Sequence, residues 1–480
     1  MTAAIAALVS APAFAQGAKQ MTQLEMTQAI IQATKPLAFP RGNRLPIRTM
    51  SLESLGTPDD AQADGLLRDL DARGLAVNAR WDPGNLDGSL AESLRLGRLQ
   101  RRLGLEIGVN ANACMHLFFN GDESTAHIAD DGAPFFDDSF GAGSKMGCPF
   151  ALKPRYPAIK AQFGPFLEAY HEAGLTVDFI YLDWEIDGPI EWNGAWEHSK
   201  RCRRCRESIP DIGDFTAFQK ALRTIRCEME REVYADTVKS YSPKALIGNY
   251  AVYPNDGYRY WYDYFEQPPP AGAPYRLDQR AKYRRWSQEF PLTGFTFAMP
   301  VVYTWYPTFG WYDFEDADYR WFYNMLLVAT NAAKSTPADI PIISWLHWHT
   351  TSPPDNPDPN VKQFTEGKYQ ELIWHMLLRG IDGLMMWCMP EETAKETQLI
   401  QEVYAAALEY KEFVDRGTPI CLDVPITPGP VVSGLRLGDR LLVRRTDFGG
   451  EAGEVVVRLN GRDVKVPRVE GRCQVIPMPR

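Results

Sequence analysis

Two carboxylates two residues apart, Asp183 and Glu185, close an apolar run that reads TVDFIYLDWEIDGP from Thr176 to Pro189. The run is rich in β-branched and aromatic residues, the composition of a buried strand. Side chains alternate across a strand. Phe179, Tyr181, Asp183 and Glu185 therefore share one face, and Ile180, Leu182 and Trp184 the other. Desolvating neighbouring carboxylates is costly, so a core retains such a pair only for a reason. The chemistry open to them is general acid–base catalysis, because one charge raises the pKa of the other until it holds a proton near neutrality. The structural alternative is that one acid caps the next helix and the other sits in a buried ion pair.

The elements that must position this pair repeat along the chain. Short apolar strands are expected at Arg44–Met50, Leu75–Arg80, Leu105–Asn110, Val177–Glu185, Ala245–Ala251, Gly294–Tyr303, Ile340–His347 and Ile381–Cys388. Amphipathic helices fall between them, among them Asp59–Arg73, Leu90–Leu103, Pro157–Ala173, Asp214–Tyr241, Glu315–Lys334, Phe364–Arg379 and a closing helix Thr393–Arg416. Eight strand–helix alternations predict an α/β fold, a (β/α)8 TIM barrel over 43–417, with long insertions at 112–155 and 186–213. Beyond Gly417 the helical period stops. Alternating apolar residues and the Asn460-Gly461 turn signal predict a small antiparallel, sandwich-like β domain over 418–480. Residues 1–15 end in Ala13-Phe14-Ala15 and read as a signal peptide, which predicts a secreted or periplasmic protein; 16–42 is a lead-in.

Barrel chemistry takes place where strands finish. The expected strand ends gather aromatics, amides and acids. Tyr181, Arg80, Trp81, Asn110, Asp187, Asn249, Tyr250, Tyr303, Trp305, His347, His349 and Trp387 are the expected substrate contacts, with Asp183 and Glu185 as the catalytic pair. Such a bowl suits an uncharged polyol, and sugar rings stack on aromatic faces. With 13 Trp and 21 Tyr the chain has the residues for it. A net charge of −10 argues against nucleic acid, no apolar run is long enough for a membrane span, and no phosphate or dinucleotide loop is present. His347-x-His349 could ligate a metal, but hydrogen bonding to substrate or to a loop is the expectation; no metal and no cofactor are expected. The eight cysteines are spread out. Cys202-x-x-Cys205 has no second pair at zinc-finger spacing, which predicts a local structural role after the acidic strand.

Neither strand six, ending VVYTW, nor strand seven, ending ISWLHWH, supplies a carboxylate. Both acids on strand four favour hydrolysis in which a substrate 2-acetamido oxygen is the nucleophile, Glu185 the general acid/base and Asp183 the group that orients the acetamido N–H. Alternatives are a second acid from another loop, such as Asp82, Asp187 or Glu391, and a non-catalytic carbohydrate-binding barrel.

Asp183-Trp184-Glu185 resembles the DWE motif of hyaluronidases and the end of the chitinase motif. In the same order, ALIGNYAVYP (Ala245 to Pro254), AMPVVYTWYP (Ala298 to Pro307) and GIDGLMMWC (Gly380 to Cys388) are similar to the strand-five, strand-six and last-strand segments of hyaluronidases. The resemblance implies a barrel glycoside hydrolase acting on a polysaccharide or oligosaccharide, with retention through the 2-acetamido group.

Overall fold

The computed structural model describes residues 21–480 except 116–117, 140, 142, 185–189, 191–192, 256–287, 305, 311, 313, 350–358, 450–452, 460, 470 and 479–480. Glu185, Asp187 and Trp305, together with residues 1–15, thus lie outside the described residues.

Parallel strands alternate with helices from Ile47 to Arg416. They are β1 (Ile47–Thr49), β2 (Leu75–Ala76, resuming as Asn78–Arg80), β3 (Gly108–Asn110), β4 (Phe179–Leu182), β5 (Leu246–Asn249), β6 (Val301–Tyr303), β7 (Ile343–His347) and β8 (Gly383–Met386). All fall inside the expected apolar runs, and β3, β4, β6, β7 and β8 are buried along their whole length. That is the state of parallel strands covered by helices.

The ladders make two parallel sheets. One runs β2–β1–β8–β7–β6 through the first piece of β2, the other β2–β3–β4–β5 through the second. Neighbours follow chain order, as an eightfold repeat requires, but the ladder is not continuous, which corrects the expectation of one closed sheet. At one seam β2 breaks at Val77, and Asn78 N donates to Leu52 O (3.3 Å) beyond the end of β1. At the other, Pro300 precedes β6 and has no N–H for a ladder. There Thr296 N donates to Ile247 O (2.9 Å) and Met299 N to Val252 O (3.0 Å).

The two sheets face each other across a filled interior. The Arg48 guanidinium of β1 lies 4.1 Å from the Phe179 ring of β4, and Tyr181 of β4 meets Trp345 of β7 edge-on at 5.5 Å. Phe297 stacks on Phe179 at 5.3 Å. Arg48 is fully buried; Nη2 donates to Glu106 Oε2 at 2.6 Å, and burial lowers its pKa while Glu106 opposes the shift.

Three of the helices begin at aspartate caps. Asp59, Asp214 and Asp316 each accept from backbone N–H groups of the first turn that follows. Gly104, at φ 70°, ends the second helix. Two expected helices differ. Pro157–Ala173 is divided into Tyr156–Lys160 and Gly164–Glu172, because Pro165 has no N–H to continue the first. Asp214–Tyr241 contains a π-helical stretch, Glu230–Ala235.

After Gly417 come β9 (Thr418–Pro419), β10 (Val431–Leu437), β11 (Arg440–Thr446), β12 (Val455–Leu459), β13 (Arg462–Val466) and β14 (Gln474–Pro477). They pair antiparallel in the orders β9–β10–β11–β14 and β12–β13. Leu459 pairs with Arg462 at the end of the β12–β13 ladder; Asn460 of the expected Asn-Gly turn lies outside the described residues. A buried relay docks this sheet on the helix Glu366–Leu377. Arg379 Nε donates to Ser433 Oγ (2.8 Å), Ser433 Oγ lies 2.7 Å from His375 Nδ1, and His375 Nε2 is 3.0 Å from Thr446 Oγ1. Thr446 Oγ1 also donates to Glu371, which accepts from Arg444 as well. With His375 neutral, these contacts fit one arrangement: Ser433 donates to Nδ1, and His375 donates from Nε2.

Burial holds His375 well below its ordinary 6.5, and Arg379, Arg444 and Lys368 push in the same direction. Its folded pKa is depressed, so the unfolded chain binds the extra proton as pH falls below 6.5, and stability is lost there. Between about pH 7 and pH 5 the wild type should lose about 2 kcal/mol more than His375→Gln. Urea unfolding of both proteins at the two pH values checks this; parallel losses would show that His375 is not held neutral.

Candidate active site

β4 ends at Leu182 and delivers Asp183 and Trp184 to the rim. Asp183 is half-buried on the Tyr181 side, as alternation requires. Trp184 turns away, packed against Phe118 (4.1 Å) with the Arg226 guanidinium 4.8 Å from its ring. Asn249, expected to touch substrate, instead holds this turn and is fully buried. Its Oδ1 accepts from Trp184 N (3.0 Å), and its Nδ2 donates to Trp184 O (2.9 Å) and Glu230 Oε1 (2.8 Å). The amide thus carries the β4–β5 pairing on to Trp184, two residues past Leu182, where backbone pairing ends. Glu230 opens the π-helical stretch; burial pushes its carboxyl up, and the Arg226 guanidinium, 3.5 Å away, pulls the other way. Tyr234, in the same stretch, donates to the carbonyls of Ile180 and Gly248 (3.2 and 3.3 Å).

An acid that sequence reasoning missed acts on Tyr181 together with Asp183. Glu53, just past β1, accepts from Asn110 Nδ2 (2.6 Å) and Arg80 Nη1 (3.2 Å). Arg80 also reaches Asp82 Oδ2 (3.3 Å). Burial raises the Glu53 pKa, with Arg80 opposing. The Tyr181 hydroxyl has no hydrogen-bond partner among the described residues. Burial pushes it well above the usual tyrosine range, with the Glu53 and Asp183 charges adding to the shift. Glu53 stands in SLESLG, a segment with no strand or helix pattern to mark it. Two further expectations are corrected. Trp81 is fully buried behind the rim, stacked on Phe166 at 5.1 Å. Asn110 is buried and fixes Glu53 and the Asn112 N–H (3.0 Å) rather than lining an open surface.

The opposite rim is aromatic. Tyr303 stacks on Trp387 (5.8 Å, 25°) and meets His347 edge-on (5.6 Å), while Tyr250 lies 6.3 Å from Tyr303 and 5.9 Å from Trp345. His347 Nδ1 is 2.7 Å from Trp387 O. A carbonyl only accepts, so Nδ1 carries the proton and Nε2 is a lone-pair acceptor with no partner among the described residues. Burial lowers the His347 pKa to about 3, so the ring is neutral. His349 Nδ1 lies 3.3 Å from Glu392 Oε1. Burial lowers the imidazole and raises the Glu392 carboxyl to about 7, with Glu391 adding to the latter shift. Glu391 itself is exposed. Among the described residues neither histidine belongs to a group of three or more side chains that could hold a metal ion.

The structure therefore brings Asp183, Tyr181 and Arg80 together with Glu53 on one side, and Tyr250, Tyr303, His347 and Trp387 on the other. Tyr181 against Trp345 joins the two. Carboxylates with a guanidinium can hold hydroxyls and move protons, and stacked rings can carry the apolar face of a sugar.

The chain matches no protein-family profile and no curated protein. It is similar to solved structures of sugar-cleaving enzymes. A GH36 α-galactosidase from Geobacillus stearothermophilus with bound 1-deoxygalactonojirimycin is 11% identical, with a TM-score of 0.45, over 94% of this chain and 58% of that one. A β-galactosidase from Halorubrum lacusprofundi is 11% identical, TM-score 0.47, over 78% and 59%. An Anoxybacillus α-amylase is 11% identical, TM-score 0.40, over 81% and 77%. The chain spans a little over half of the galactosidases' length. None of the three is a hyaluronidase or a chitinase, and likenesses this distant assign neither a substrate nor a site.

Asn249→Ala should destabilise the fold by about 1–3 kcal/mol, since it strands the Trp184 backbone groups and Glu230 in a buried setting. Urea denaturation measures the loss; an unchanged midpoint would show that the amide does not hold the turn.

Proposed function

We propose that the protein is an exported glycoside hydrolase acting on a polysaccharide or oligosaccharide, its two parallel sheets forming the halves of a (β/α)8 barrel. The carrying observation is Asp183, half-buried at the end of a buried strand, its charge and that of Glu53 both acting on Tyr181, with the aromatic rim of Tyr250, Tyr303 and Trp387 reached through Trp345. Glu185, two residues on, is the general acid/base in this reading. Asp183 accepts from the substrate's 2-acetamido N–H, and the acetamido oxygen attacks the anomeric carbon while Glu185 protonates the leaving oxygen. The Asp-Trp-Glu triplet supports a 2-acetamido sugar of the kind that hyaluronidases and chitinases cleave. The negative charge of Asp183 stabilises the oxazolinium where water is scarce.

One observation favours a second reading. Glu392, past the end of β8, lies 3.3 Å from His349 Nδ1, and burial raises its carboxyl to about 7, so a two-carboxylate mechanism that pairs it with an acid of the β4 end is the alternative.

A reducing-sugar assay on a polysaccharide panel tests the activity. Glu185→Gln should lower turnover by about 100-fold or more while binding persists. Asp183→Asn should cost about 100- to 1000-fold, in turnover more than in binding. A cyclic thiazoline that mimics the oxazolinium should inhibit the wild type and lose potency against Asp183→Asn. A glycosyl adduct trapped on a protein carboxylate would establish the second reading instead. No cleavage of any substrate by folded wild-type protein would leave neither standing.

A further inference from the structure

The two long insertions meet at a cluster of four buried side chains, His127, Cys148, Cys202 and Cys205. His127 and Cys148 come from the insertion after β3, and Cys202 and Cys205 from the one after β4. The sequence separations, 54 residues from Cys148 to Cys202 and 78 from His127 to Cys205, hid the grouping. The lone C-x-x-C therefore did not reveal a metal, and the expectation of none is revised here.

We propose that these four residues bind one zinc ion as a structural Cys3His site. The ligand atoms lie within 4.8 Å of one another. Cys148 Sγ is 3.4 Å from Cys205 Sγ and 3.9 Å from Cys202 Sγ, and Cys205 Sγ is 3.8 Å from His127 Nδ1. A tetrahedral ion with Zn–S bonds of about 2.3 Å spaces its ligand sulfurs about 3.8 Å apart. A cluster of several irons would hold them farther apart. A disulfide would bring two sulfurs to about 2.05 Å and leave the third thiol and the imidazole unexplained. Cys148 stands near both other sulfurs, and a single S–S bond accounts for only one of those approaches.

The surroundings match a closed site. All four side chains are buried. Three thiolates and a neutral imidazole on Zn²⁺ carry a net charge of −1. The segment around the C-x-x-C holds five cations, Lys200, Arg201, Arg203, Arg204 and Arg206, in a chain whose net charge is −10. Arg204 Nη1 donates to Ala126 O (3.3 Å), beside His127. The apolar packing around the thiols is small, built on Ala151, Ala195, Ile209, Ile212, Phe218 and Leu222. A core of that size gains from a metal staple. All four positions are filled by protein, which makes the ion structural rather than catalytic. Binding releases the three thiol protons to solvent, with no oxidant or reductant needed.

Metal analysis of the purified full-length protein, without chelator, should find about one zinc per chain. Cys148→Ser and Cys205→Ser should each bind less than about a tenth of that, while Cys421→Ser, at a buried cysteine outside the cluster, keeps it. Should the first two variants fail to fold, the wild type refolded with Co²⁺ still decides: thiolate charge-transfer bands and the intense visible bands of tetrahedral cobalt are expected. Zinc-free folded protein with no such spectrum, or a peptide map linking Cys148 to Cys202 or Cys205 by a disulfide, would overturn the assignment.

Discussion

Everything at the rim rests on the packing of Phe179, Tyr181 and Trp345 inside the parallel strands. These rings belong to β4 and β7, on different sheets, and they fill the space a ligand would need to enter. Chemistry is thereby confined to the points where the strands stop. The packing also buries a phenol hydroxyl without a partner among the described residues, at a cost of about 1–3 kcal/mol. Aromatic burial on the same strands offsets that cost. Arg48 fills the space beside Phe179 with its charge answered by Glu106, which explains why so polar a group is tolerated there.

The rim is divided by electrostatics. On the acid side, Arg80 serves both Glu53 and Asp82, and burial sets the carboxyl of Glu53 apart from an ordinary surface acid. On the aromatic side His347 is kept neutral, so Tyr303 and Trp387 pack against an uncharged ring. Between the two, the path of the chain after β4 is set by one amide. Asn249 replaces missing backbone pairing with side-chain pairing, and the π-helical stretch brings Glu230 to it. Such stretches recur at functional sites because they re-aim side chains at little cost.

Support further out follows the same economy. The C-terminal strands dock through a chain of hydrogen bonds from Arg379 to Glu371, and every donor in that chain meets an acceptor. The insertions meet around buried thiols and an imidazole. In both places polar groups sit in low dielectric, and that is stable only where they satisfy each other or an ion.

The eight strand positions, the helix starts at Asp59 and Asp214 and the inward set Phe179, Tyr181 and Asp183 were readable from the chain. Each depends on a period of two or 3.6 residues or on a single capping residue, and such information is local. The seams between the sheets, the π-helical stretch and the true roles of Trp81, Asn110 and Asn249 were not readable. A residue at a strand end can face the rim or the helices behind it, and only packing decides which. Glu53 and the His127–Cys148–Cys202–Cys205 group lay beyond the sequence for a related reason. Their members are brought together by loops from different strands, and no spacing along the chain encodes a meeting in space.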